Sequence, residues 1–171
     1  MLNRGDANAI GEFLRGDAQA TAFVVALFET LHAWDGLIDK DRRVTDAEIH
    51  LAFRRALIDI PGSAFYQQHF GQLHPLLSVA LMNWLGANTL ESSGDEATLR
   101  IAFIVRSDYC SILLKCMELL HGFEYAAARA HEVRLFFHAE GFDAYRQSLL
   151  AERARRNLVL HGMKRAFEGE A

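Results

Sequence analysis

The stretch from Ile60 to Leu90 contains no Asp, Glu, Lys or Arg. A run this long without charge has two ordinary fates: a membrane span, or an element held inside a protein. A span needs about 20 consecutive, mostly apolar residues. Here Gln67, Gln68, His69, Gln72, His74, Pro75, Ser78, Asn83 and Asn88 interrupt the run. It therefore reads as the buried central helix of a soluble protein, over Leu76 to Leu90. Pro75 would take its first position, where no N–H is needed.

The remainder is just as prone to helix. Pro61 and Pro75 are the only prolines, and no segment alternates polar and apolar residues long enough for a strand. With 171 residues, 51% hydrophobic and 23% charged, the chain can bury one core and lacks the composition of a disordered tail. The expected fold is all-α, one domain over 1–171, a helical bundle of five to seven helices around the central one.

Local signals place the other elements. A short first helix is expected over Ala7 to Arg15, within 1–16, with Asp6 as N-cap. Asp17 caps a longer helix running to about Ile38. Thr45-Asp46-Ala47-Glu48 is a capping box, and Ile60-Pro61-Gly62-Ser63 stops the helix it starts. One long helix is expected over Ala97 to His121, ended by Gly122, and another over Glu124 to Glu140, ended by Gly141. The last would run from Asp143 to Phe167, with 169–171 frayed.

Partners and compartment follow from charge and cysteine. The formal net charge is −4, so no basic field argues for nucleic acid or an anionic membrane surface. Only the last helix is basic, through Arg146, Arg153, Arg155, Arg156, Lys164 and Arg165. No aromatics are interleaved there, which disfavours single-stranded nucleic acid. Met1 to Asp6 carries charge and no apolar block, so no leader is expected. Cys110 and Cys116 match no zinc or redox spacing and read as buried, reduced thiols of a cytoplasmic protein.

Candidate chemistry is concentrated on the second helix. His32, Asp35 and Asp39 fall within about 60° of one another around a helix axis, with Glu29 about 60° away. Asp41 follows the helix end. Carboxylates one turn apart suit a hard divalent ion, and a histidine broadens the choice to iron, manganese or zinc. The same pattern is also an ordinary solvated face. On the helix over Ala97 to His121, Asp108, Ser111, Lys115 and Glu118 share an arc of about 80°. They read either as helix-stabilising charge pairs or as a polar pocket facing the acidic strip, with Arg106 clamping a small anionic ligand. Asn83, on the charge-free helix, must find a partner if buried: a neighbouring helix end or a bound ligand.

Two resemblances start from these residues. Asp35-Gly36-Leu37-Ile38-Asp39-Lys40-Asp41 resembles the aspartate-rich helix end of class I isoprenoid diphosphate synthases. Gly36 replaces the usual second aspartate, and the spacing of the terpene cyclases' second motif falls on Ser107, Ser111 and Lys115, with lysine where a metal carboxylate belongs. That likeness implies an all-helical fold holding magnesium. Glu29-Thr30-Leu31-His32 and Glu118-Leu119-Leu120-His121 resemble the paired Glu-x-x-His motifs of ferritin-like di-iron proteins. That likeness implies iron at Glu29, His32, Glu118 and His121, with bridging carboxylates from Glu91, Glu132 or Glu140. As a whole the chain also looks like small helical proteins of bacterial and phage genomes, a likeness that brings no activity with it.

Two functions remain open on the sequence. The first is an acidic, histidine-containing site of Glu29, His32, Asp35, Asp39, Asp41, Glu118 and His121. It would hold a divalent metal (Mg, Mn or Fe) and an anionic ligand at Arg106, Asp108 and Asn83. The second is an interaction protein acting on a protein partner through its helix faces, as a homodimer or a phage-related accessory. The chain has no Gly-x-Ser-x-Gly, His-Glu-x-x-His or phosphate-loop motif, so neither reading names a reaction.

Overall fold

The structure is a computed structural model that describes residues 4–40 and 42–154. Among these the chain is all-helical, with no strand: α1 (Arg4–Phe13), α2 (Ala18–Asp39), α3 (Asp46–Arg54), α4 (Ala64–Gln68), α5 (Phe70–Ser93), α6 (Glu96–Arg106), α7 (Cys110–His121) and α8 (Phe123–Phe137). Helix α9 follows over 142–154. Asp41 and the basic residues Arg155, Arg156, Lys164 and Arg165 lie outside the described residues.

The caps form as their chemistry dictates. The Asp17 carboxylate accepts from Ala20 N–H at 2.8 Å and starts α2. Thr45 and Glu48 close a reciprocal capping box ahead of α3. Bonds from the Thr45 N–H, the Thr45 hydroxyl and Arg42 hold the Glu48 carboxyl down at about 2. Gly122 and Gly141 turn the chain at φ +86° and +77°, conformations that L side chains rarely adopt. A five-residue π-helical turn, Arg55–Asp59, extends α3 to the stop at Ile60 and Pro61.

Three elements differ from expectation. First, α1 starts at Arg4 rather than at Ala7, so Asp6 lies inside it. Second, α5 starts at Phe70, which puts Pro75 inside the helix. The one ladder bond lost there would go to the carbonyl of exposed Gly71, which water can satisfy. Third, the helix expected over Ala97 to His121 is broken at Ser107, Asp108 and Tyr109. Cys110 and Ser111 donate three residues back, to the carbonyls of Ser107 and Asp108, at 3.0 and 2.8 Å. Short polar side chains offer the backbone such alternatives, and the Ser111 hydroxyl donates to Asp108 at 2.9 Å.

The core is built on α2 and α7 more than on the charge-free helix. Cys110, Ile112, Leu113, Cys116 and Met117 of α7 are almost wholly buried, against Val24, Leu27 and Phe28 of α2. Helix α5 is buried only along Leu73, Ala80, Trp84, Ala87 and Glu91. Its opposite side exposes Val79, Met82 and Leu85. An absence of charge is thus a property of the whole α5 surface and not a sign that it is enclosed. Among the described residues, α2 is the one helix long and apolar enough to cross a membrane. Here it packs against α1, α3, α4 and α7, and Glu29 and Asp35 form ion pairs from it.

Candidate functional site

Arg106 is the hub of the site. The break after it ends α6 with this side chain turned towards α2 and α5. One terminal nitrogen donates to Asp35 at 2.6 Å and to Asp39. The other donates to Glu91 at 2.8 Å and to Asn88 at 3.0 Å. Burial alone would lower the affinity of Arg106 for its proton, but Asp35, Glu91 and Asp39 outweigh it and hold the guanidinium firmly charged. Burial raises Asp39 above the usual carboxylate range. Arg106 opposes that shift, and neighbouring Asp35 adds to it. Asp35 Oδ1 also accepts from the Trp84 indole at 2.9 Å. The Tyr145 phenol donates to Glu91, and burial followed by that bond raises the phenol's proton affinity.

Beside this cluster lies a half-open cavity of about 590 Å³. Helices α2 and α5 stay apart there, and the gap is bridged by Trp34 against Trp84, with ring centroids 4.8 Å apart. Phe28, Tyr109 and Phe137 form a second aromatic wall, edge to face at 5.1 to 5.4 Å. Burial pushes the Tyr109 phenol up to about 12, so it stays protonated at neutral pH. Asp35, Arg106 and Tyr145 reach the cavity from the charged cluster, and Asp6, His32 and Glu140 also line it. Such a cavity, largely apolar with a few convergent polar groups, is the usual form of a small-molecule site.

The other expected residues go elsewhere. Glu29 pairs with Arg55. Glu118 pairs with Lys115 at 2.9 Å, and His121 meets the Leu14 carbonyl at 3.2 Å. The two Glu-x-x-His pairs are not brought into one group. Among the described residues no set of three or more His, Cys, Asp or Glu side chains is placed to hold a metal ion. Asp35, Asp39 and Glu91 do converge, but on a guanidinium that stands where a cation would.

Asp108 and Asn83 form a separate cluster. Asn83 donates to Asp108 at 2.7 Å, and Arg134 lies 3.7 Å from the same carboxylate. Arg134 also contacts Cys110 Sγ at 2.8 Å and Ser111 at 3.1 Å. The Cys110 thiol is pushed up to about 11, chiefly by burial, so it is no nucleophile at neutral pH. This second network ties the α6–α7 turn to α5 and α8 and does not line the cavity.

Trp84 and Tyr145 were not singled out by sequence reasoning, Asn88 was noted only as a polar residue on an apolar helix, and Glu91 was named only as a bridging candidate. One signal was there to be read: Trp84, Asn88 and Glu91 are four and seven residues apart on α5, one face of a helix, and Glu91 is its only charge.

No protein-family model matches this chain, and no curated protein or solved structure is significantly similar to it.

Proposed function

We propose that this protein binds a small, largely apolar molecule in the cavity between α2, α5 and the α6–α7 turn. The observation that carries this reading is the cavity itself. A half-open space of about 590 Å³ walled by aromatic rings, with a few polar groups at one end, has the form of a site that takes a small molecule. The Arg106 cluster fixes the polar end. The expected divalent ion would have to displace Arg106 from Asp35, Asp39 and Glu91, and an anionic ligand would meet a guanidinium already shared among three carboxylates. Both cysteines are unpaired and buried, which supports a reducing, cytoplasmic setting.

Nile red, a neutral dye that brightens in apolar surroundings, is the probe. It should bind the parent saturably. Ala80→Phe, which projects a ring into the cavity from α5, should abolish binding while unfolding in urea stays cooperative. Equal dye binding by parent and variant would place the dye elsewhere and remove this reading. EDTA and added Mg²⁺, Mn²⁺ or Fe²⁺ should leave the melting temperature unchanged. A metal-dependent rise would restore the metal site.

One observation favours the interaction reading. The exposed row Val79, Met82 and Leu85 on α5 lies in a segment with no charge of either sign. A second copy could lie against it without repulsion, as a two-fold interface requires of a self-complementary patch. On that reading sedimentation velocity gives a dimer, and Met82→Glu gives a monomer. A monomeric parent at 100 µM would dispose of it.

A further inference from the structure

The charge balance at the cavity says more than that something binds there. Asp35 and Glu91 share one guanidinium, which leaves a negative charge in formal excess. No other Arg or Lys lines the cavity among the described residues. Asp35 is the member of the cluster that reaches the wall. Both of its bonds, from Trp84 and from Arg106, fall on Oδ1, and its side chain is 32% exposed. Oδ2 therefore has acceptor capacity to offer. The walls beside it are aromatic, and the face of an aromatic ring attracts a cation. Arg106 already uses this property, lying 5.7 Å from the Trp84 ring.

We infer that the ligand is an organic cation, an aromatic or aliphatic body carrying an ammonium or amidinium group. The charged end donates to Asp35, and the body lies among Trp34, Trp84, Phe28 and Tyr109. This inference rests on the cavity being a binding site and deepens that reading. It reverses the anionic ligand that Arg106 suggests on sequence alone. An incoming carboxylate or phosphate would be repelled by Asp35 at the wall and would have to compete with Asp39 and Glu91 for the guanidinium. An incoming ammonium neutralises the excess and needs no group to leave.

Three molecules of one shape test the inference by calorimetry at pH 7: 2-naphthylmethylamine, 2-naphthalenemethanol and 2-naphthoic acid, which are cationic, neutral and anionic there. The amine should bind at least tenfold more tightly than the alcohol, and the acid most weakly. Asp35→Asn keeps an Oδ1 acceptor for Trp84 and Arg106 and should bring the amine to the level of the alcohol. If that variant fails to fold, Glu140→Gln, at another acidic residue of the lining, should narrow the same gap. Alcohol binding as tightly as amine, or acid binding more tightly, overturns the inference and leaves the cavity a binding site. Failure of all three, together with failure of Nile red, overturns the inference and the binding reading.

Discussion

Arg106→Met should unfold about 3 kcal/mol more easily than the parent at pH 7, the usual scale for removing one partner of a buried ion pair. The side chain of Arg106 is 18% exposed, and those of Asp39 and Glu91 are 16% and 10% exposed. The methionine keeps the length and apolar volume of the stem but leaves three carboxylates without their cation. Burial already raises the Asp39 carboxyl above its ordinary value, Arg106 opposes that shift, and removing this cation enlarges it. A group shifted in that direction contributes stability that is fully present below the unfolded value, near pH 4, and lost as pH rises through the raised folded value. The gap between parent and variant should therefore be small at pH 4 and widen up to pH 7. Urea unfolding followed by far-ultraviolet circular dichroism at four pH values reads it. A gap that does not change with pH would mean that Arg106 acts by packing and not as the counter-charge of the cluster.

The other large effect is expected at Trp84. This residue is 8% exposed, meets Trp34 face to face at a tilt of 31° and donates to Asp35. Trp84→Ala should cost about 3–5 kcal/mol, the range for deleting a large aromatic side chain from a core. The loss should fall at the lower end, because the new void joins an existing cavity that water can enter. Trp84→Phe separates the two contributions. It restores a ring against Trp34 and removes only the indole N–H, for about 1 kcal/mol. A loss below 1 kcal/mol for the alanine variant would show that the two indoles do not close the gap between α2 and α5.

What the sequence made legible was local. Asp17, the Thr45–Glu48 box and Gly122 mark ends by chemistry that acts within a turn, and these three ends lie where they were expected, whereas the helix expected to run to Glu140 stops at Phe137. The site was legible in pieces. Asp35, Asp39 and Arg106 were each singled out, but as metal ligands and an anion clamp, because spacing on one helix says nothing of what faces it. The pairing of Arg106 with α2 depends on the break at Ser107 to Tyr109. That break hangs on Asp108 finding Asn83 and Arg134, partners that are distant in sequence. Glu91 was hidden for a related reason: its role is set by Arg106 and Tyr145, and nothing within a turn of it announces either.

The protein has two tryptophans, and they touch each other at the wall of the cavity. Intrinsic fluorescence therefore follows this one junction and not the molecule at large. A fluorescence trace reports the parting of α2 from α5, while circular dichroism reports the melting of the helices. Any interval between the two on the same sample measures how far the cavity can open with the rest of the bundle still intact.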